Sequence, residues 1–304
     1  MAFAAFSSSK PKGFSKPTKT GKVVIALLAP GLAYLGAFFL TPLFALIMVS
    51  LQAPDPMGGF GDYIPAFEIN NYFVVISEYL PQMLRSFGYA LSATILALVI
   101  SYPLAYFIGV KARPYPMLQK LMLTLVIAPF FISFLLRTLA WKQIFSNESW
   151  IVTTLQQLGL LESDQYVVGT PFMVIFGLTY NFIPFMTLPL YTSLERLDTR
   201  YLEAGSDLYA SPSRVFRKVT IPLSMPGIIS GTLLTFIPIA GDYINASGDF
   251  LGSSSTAMIG NVIEANYLQI NDYPAASALS VLLMGAILIL VAGYVKKSGT
   301  EDLL

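Results

Sequence analysis

The chain has 304 residues, of which 55% are hydrophobic and only 12% charged, and its net charge is +1. With a mean hydropathy of +0.66, this is the composition of an integral membrane protein rather than of a soluble domain. Cysteine and histidine are both absent, which excludes disulfides, thiolate metal sites and histidine general-base chemistry, and a charge of +1 gives no indication of nucleic acid as a partner.

Residues 1–22, rich in Ser, Lys and Pro, read as a basic tail without fixed structure. Ala2 rules out N-myristoylation. Six hydrophobic runs follow: Val23–Leu51, Phe87–Val110, Leu121–Trp141, Pro171–Ser193, Pro222–Ala240 and Ala275–Val295. Each has the length of about 20 residues that crosses a bilayer. The first exceeds a signal-peptide core and lacks a small-residue cleavage site, so it reads as a span. Pro30, Pro42, Pro103, Pro129, Pro184 and Pro226 fall inside these runs. Membrane helices tolerate such breaks when neighbouring groups satisfy the freed carbonyls. The connecting segments Gln52–Ser86, Lys142–Thr170 and Gly241–Pro274 are long and acidic. Within them, Ile151–Leu161 is predicted to form a short surface helix and Ala257–Leu268 a re-entrant or interfacial one. At about 12 residues, the latter is too short to span.

Charge sets the orientation. Of the 18 basic residues, 15 lie before the first run, between the second and third, between the fourth and fifth, or after the sixth. The remaining three, Arg85, Arg137 and Lys142, sit near the opposite interface. The positive-inside rule therefore predicts cytosolic termini and a cytosolic loop at 194–220.

That loop carries the most informative polar stretch, Tyr201–Gly227. Tyr201, Gly205, Leu208 and Tyr209 share one helical face, with Glu203 and Asp207 on another. Ser211 occupies an N-cap position and Pro212 a first helical position, so a second helix is predicted to begin there. In it Pro212, Val215, Phe216 and Val219 form the apolar stripe, while Arg214, Arg217 and Lys218 point elsewhere. A helical hairpin with an apolar face, held in water between two spans, needs a partner to cover that face.

The other candidates lie toward the acidic side. Asp242, beside Tyr243 just past the fifth run, is a carboxylate placed either to line a path for a cationic solute or to rest in water at the interface. Asn261 and Glu264 are three apart, on one helix face, where they would bind an amine or simply face solvent. Arg137 is about 16 residues into the third run, which predicts snorkelling toward lipid phosphate. Trp141 and Trp150 suit an interfacial aromatic belt, with solute stacking as the alternative for either. Gly227 and Gly231 form a small-xxx-small pair that permits close helix crossing. No phosphate-binding loop of the Walker type occurs in the sequence, so any ATPase that drives this chain is another polypeptide.

The loop resembles the EAA loop of ABC importer permeases. Glu203-Ala204 match, Gly205 replaces the second Ala, and Tyr209 stands where Gly is usual. Ala210-Ser211-Pro212, Phe216, Val219 and Ile221-Pro222-Leu223 continue the pattern. The segments from Ala128 to Trp141 and from Pro184 to Tyr191, with Gly241-Asp242-Tyr243 and Met258-Ile259-Gly260-Asn261, resemble the spermidine/putrescine branch of these permeases. The resemblance covers about Val23–Val295 and implies an all-α, type I ABC importer permease fold with six transmembrane helices. It divides the chain into a tail at 1–22, a permease domain at 23–297 and a C-terminal tail at 298–304. It also implies a bacterial inner-membrane location, a second homologous permease subunit, a cytosolic ABC ATPase dimer and an extracytoplasmic solute-binding protein. ATP would be used by the partner, and this chain would bind neither cofactor nor metal. Glu203, Ala204, Gly205, Leu208, Ala210, Ser211 and Phe216 are the expected ATPase-docking residues. Asp242, Tyr243, Asn261, Glu264 and Trp141 are the expected solute-path residues. Permeases for iron, sulfate and other solutes share the framework. An ion-coupled transporter is the alternative class, and the lack of Asp or Glu inside any of the six runs argues against it.

Overall fold

The computed structural model describes residues 20–162 and 165–297. Of the expected tail at 1–22, residues 1–19 lie outside the described residues and 20–22 already belong to the first helix; the expected tail at 298–304 lies outside them. The chain forms two compact units, residues 1–48 and 49–304. The first is helical throughout its described part. It contains α1 (Thr20–Leu35), a π turn (Gly36–Leu40) and most of α2 (Thr41–Ser50). The π turn lies directly ahead of Pro42, which has no N–H to give and whose ring crowds the preceding turn.

In the second unit a two-residue hairpin pairs β1 (Ala53–Pro54) antiparallel to β2 (Tyr63–Ile64). Helix α3 (Asn70–Tyr106) continues through a π turn to Lys111. Then come α4 (Pro116–Ile127), α5 (Phe134–Ile144), α6 (Trp150–Gln157) and α7 (Pro171–Glu195). The expected surface helix at 151–161 is thus α6, capped by the Ser149 hydroxyl, which accepts from Val152 N at 3.2 Å. Short helices α8 (Arg200–Asp207), α9 (Pro212–Val215) and α10 (Ile221–Leu223) lead into α11 (Met225–Ala240). The chain ends with α12 (Ile259–Leu268) and α13 (Tyr273–Lys297).

The core is the packing of α3, α7 and α11. Ala90, Ala93, Ala97, Ser101 and Ala105 recur at helical spacing on α3 and are wholly buried. Small residues at this spacing let backbones approach closely. Against them pack Val174, Leu178, Phe182, Met186, Leu190 and Leu194 of α7 and Ile239 of α11. The expected Gly227/Gly231 pair lies in the α7–α11 seam. A Cβ at Gly227 would fall 2.8 Å from Pro189 O, and one at Gly231 3.1 Å from Met186 O. A further cluster joins Val75 of α3 to Ile259 and Val262 of α12 and Ala278 and Leu279 of α13.

Four continuous helical runs are long and apolar enough to cross a membrane: Val24–Ser50, Asn70–Lys111, Pro171–Glu195 and Tyr273–Lys296. The third and fifth predicted spans are broken. Pro116–Phe131 meets Phe134–Ile144 at 93°, and Pro212–Leu223 meets Met225–Ala240 at 65°; counting each bent pair as one span gives six. The first break follows a tight turn at Ala128–Phe131 and an extended Ser133. The second falls at Ser224, between Pro222 and Pro226. One connecting segment differs from its sequence reading: within Gln52–Ser86, residues from Asn70 onward are helical and extend α3.

Candidate functional site

Two short helices, α8 and α9, form around Ser211–Pro212 as the sequence predicts, but α8 ends at Asp207, so Leu208 and Tyr209 lie in the turn after it and not on the predicted helical face. Asp198 starts α8, its Oδ1 accepting from Arg200 N at 3.0 Å. Tyr209, at the position where the resembling loops carry Gly, adopts φ 53°. The turn therefore keeps a left-handed geometry at the expense of strain in a bulky residue. Ser211 takes the N-cap conformation, and its carbonyl accepts from Arg214 N and Val215 N. Its hydroxyl makes no cap bond. Gly205 lets the two helices touch, since a Cβ there would lie 2.8 Å from Val215 Cγ2.

Of the expected docking residues, Glu203, Ala204, Leu208 and Ser211 are exposed, and Gly205 and Ala210 are half-buried. Leu208 and Tyr209 are 81% and 98% exposed, an apolar pair left uncovered by the described residues. Phe216 lies elsewhere. It is half-buried in an edge-on slot between Tyr102 and Tyr106 of α3, with ring centroids 5.5 and 5.9 Å away. The reason is the π turn at Phe216–Thr220, which rotates the stripe of α9 toward the core. A cavity of about 610 Å³ opens at the foot of the hairpin, lined by Ser193, Arg196, Asp198, Tyr201, Pro226 and Ser230 among others.

At the opposite ends of the core helices lies a buried polar chain. Asp242 is 8% exposed. Its Oδ1 accepts from Asn245 N at 2.8 Å and its Oδ2 from Asn245 Nδ2 at 3.0 Å. An ionised carboxylate only accepts, so it fixes which way the Asn245 amide points. Asn245 Oδ1 then accepts from Asn181 Nδ2 at 3.1 Å, and Asn181 Nδ2 also donates to Thr138 Oγ1 at 3.1 Å. The Thr138 hydroxyl gives its own proton to Phe134 O. One carboxylate thereby orients a chain that ties the loop after α11 to α7 and α5. Burial pushes the Asp242 pKa up to about 6, against the opposing hydrogen bonds from the Asn245 side chain and the N–H groups of Asn245, Ile244 and Ala246.

The other expected path residues divide. Tyr243 is 47% exposed and Glu264 half-exposed. Asn261 is occupied: its Oδ1 accepts from Met258 N at 3.0 Å and its Nδ2 donates to Tyr243 O, so it caps α12. Trp141 packs among Phe145, Phe176 and Tyr180, with centroids 4.9–5.9 Å away. Arg137 departs from its expected snorkelling. It is 8% exposed, its guanidinium lies 5.7 Å from the Phe134 ring centroid, and Nε and Nη1 have no hydrogen-bond partner among the described residues. Depth counted along a straight helix placed it at the headgroups. The 93° bend instead puts Arg137 in the first turns of a second helix, facing inward.

No family model matches the chain. Whole-chain relatives do. Three are spermidine/putrescine transport system permease proteins PotB. That of Escherichia coli K12 is 35% identical over 279 residues, covering 90% of this chain and 93% of its own. That of Salmonella typhimurium LT2 is 34% identical over 277 residues, covering 90% of each. That of Haemophilus influenzae is 33% identical over 277 residues, covering 91% and 93%. The chain belongs to this permease family. The permease is accordingly a multi-pass protein of the cytoplasmic membrane.

Solved structures agree on the fold. The permease matches a chain of a bacterial ABC transporter that imports alginate with a TM-score of 0.65 and 17% identity, over 92% of this chain and 96% of that one. It matches a chain of the MetNI methionine ABC transporter with a TM-score of 0.55 and 19% identity, over 72% and 94%. Sequence reasoning missed Asn181, Asn245 and Thr138. Asn181 had a signal of its own, an amide in the middle of the apolar run GLTYNFIPF, since a polar side chain at membrane depth needs a partner.

Proposed function

We propose that the permease is one membrane subunit of an ATP-driven, binding-protein-dependent importer of polyamines. In this reading it has six spans with both termini in the cytosol, a second homologous permease beside it, and an ABC ATPase dimer below. The observation that carries the reading is the hairpin α8–α9, which exposes Leu208 and Tyr209 and the carboxylate of Glu203 on the lysine- and arginine-rich side. Apolar surface held in water calls for a protein partner. Glu203, Ala204, Leu208, Ser211 and the half-buried Gly205 and Ala210 form the docking face, and Phe216 anchors it. The substrate class rests on relatives named for spermidine and putrescine over nine-tenths of the chain. One alginate transporter structure contains a periplasmic protein bound to an alginate pentasaccharide, and a binding protein delivering solute to the outer face is the corresponding partner here.

Alternating access then follows from a difference in partner affinity between two states, since a ligand shifts an equilibrium only by that difference. Tyr243 and Glu264 are the exposed groups that meet the solute. Asp242, Asn261 and Trp141 shape the path from behind, by holding Asn245, Tyr243 and the α5–α7 contact. The test is uptake of radiolabelled spermidine and putrescine in cells lacking other importers, with permease abundance measured in parallel. ATP-dependent uptake that falls in Glu264→Gln supports the reading. Transport of an anion or a metal complex in place of any polyamine overturns the substrate class.

A further inference from the structure

Arg113 lies in the short connection between α3 and α4, and its guanidinium is spent entirely on backbone carbonyls. Nε donates to Gly109 O at 3.1 Å, Nη1 to Leu197 O at 3.1 Å, and Nη2 to Leu194 O at 3.1 Å and to Glu195 O. The last carbonyls of a helix have no partner within it, and α7 ends at Glu195. Arg113 thus closes α7 where the hairpin departs, and ties that end to the last turn of α3. The two backbones touch there: a Cβ at Gly109 would be 3.2 Å from Glu195 N and 3.3 Å from Leu194 Cβ. A planar fork with five donors suits four such contacts, and an ammonium on a flexible stem does not.

The hairpin's exit is tied to the same helix. Phe216 sits between Tyr102 and Tyr106, and the Tyr102 hydroxyl lies 2.7 Å from Ser224 Oγ at the break before α11. Entry and exit therefore both bear on the segment Tyr102–Arg113. In its N-terminal half, at Arg85 and Ser86, α3 is bonded to the segment that carries α12. Arg85 Nη1 donates to Ala257 O at 3.0 Å, and Ser86 Oγ accepts from Ile259 N at 2.6 Å. That segment abuts the Asp242 loop, because a Cβ at Gly260 would lie 2.6 Å from Asp242 O. From Ser86 to Lys111 a continuous helix spans about 40 Å at about 1.5 Å per residue.

We propose that α3 is the strut that carries movement of the hairpin to the outer Asp242–α12 loop, and that Arg113 is the positioning residue that makes the hairpin's entry move with α3. The inference rests on the hairpin being the ATPase dock. Without the clamp, a push on α8 is taken up largely in the connection Arg196–Thr199, and α3 follows only through the hairpin's exit.

The experiment uses the complete importer in liposomes: the permease, its partner permease, the ATPase and the binding protein loaded with spermidine. Arg113→Gln removes the fork, and Arg113→Lys keeps the charge without the fork. Three quantities are read: ATPase retained on purification, ATP hydrolysed, and spermidine moved per ATP. The ATPase is expected to remain bound and hydrolysis to continue. Spermidine per ATP falls by at least about tenfold in Arg113→Gln, the change that loss of even one of the four charge-assisted contacts produces, and less in Arg113→Lys. Phe216→Leu, which loosens the exit, lowers the same ratio. An unchanged ratio in both Arg113 variants overturns the proposal. So does a loss of uptake that merely follows loss of bound ATPase, which assigns Arg113 to folding of the hairpin alone. If Arg113→Gln does not assemble, Arg113→Lys and Phe216→Leu are read by the same criterion. A native importer that binds no ATPase through the hairpin, shown by full ATPase retention in Glu203→Lys combined with Leu208→Asp, refutes the docking reading itself and this proposal with it.

Discussion

Asp242→Asn measures what the fold gives up to keep a carboxylate away from water in the loop after α11. Burial raises the pKa of Asp242 from 3.8 to about 6, so the folded chain holds that proton more tightly than the unfolded one. Below 3.8 both states are protonated and the group does not distinguish them. As pH rises to 6 the unfolded chain ionises first, stability falls, and above 6 the full penalty is present. A difference of that size corresponds to about 3 kcal/mol. Asparagine has no charge to bury, which removes the penalty. It also offers one acceptor where the carboxylate offers two, so either Asn245 N–H or Nδ2–H loses its partner at a cost of about 1–3 kcal/mol. Near neutral pH the two changes oppose each other, and the variant should melt close to the native protein. The distinguishing result lies in the pH dependence. Melting of the detergent-purified permease, followed by intrinsic fluorescence between about pH 4 and about pH 8, should show the native protein gaining stability relative to the variant as pH falls through 6. Parallel curves for the two proteins would refute the argument that burial sets the state of this carboxylate.

Two further outcomes follow from the hairpin and from the order of the helices. Tyr209→Gly relieves a left-handed backbone worth about 1 kcal/mol, partly offset by the freedom Gly gains in the unfolded chain. The hairpin should resist limited proteolysis slightly better, and faster cleavage would mean that the exposed ring itself holds the turn. Because the chain has no cysteine, Ser213→Cys and Ser77→Cys report topology cleanly. The first should react only from the cytosol and the second only from outside, and labelling of Ser213→Cys from the exterior of intact cells would overturn the inside-terminus arrangement.

The hairpin was legible because its signals are local. A Ser-Pro pair and an apolar stripe each act within a few residues, whereas the packing of Gly205 on Val215 shows only in the fold. Tyr209 was legible as an irregular residue, but only the backbone shows that the turn keeps the geometry of Gly. The breaks in the third and fifth spans were not legible, because hydropathy carries no direction: Leu121–Trp141 reads the same straight or folded by 93°. Arg137 was misplaced for that reason alone. The N-terminal extension of α3 went unread because Asn70–Ser86 buries only some of its faces, so no continuous apolar run announces it. The polar chain through Asn181 and Asn245 joins residues 64 apart in sequence, and no spacing rule brings them together. Asp242 was singled out as a carboxylate near membrane depth, yet its bonds to Asn245 could be found only in the folded chain.

The seam between α7 and α11 constrains what else the molecule can do. At Gly227 and Gly231 the backbone of α11 rests against Pro189 O and Met186 O, with no side chain of α11 between them to act as a bearing. A screw of one residue, about 1.5 Å of rise with about 100° of turn, would carry a branched side chain, Ile228 or Thr232, into a place where a methyl group already meets the α7 backbone. α7 and α11 therefore turn as a single rigid block. Whatever opens and shuts must yield elsewhere, and the two places where the helical ladder is already interrupted, at Ile132–Ser133 and at Ser224, are the joints left to bend. Stiffness and compliance are thus allotted residue by residue, glycine making the weld and proline the hinge.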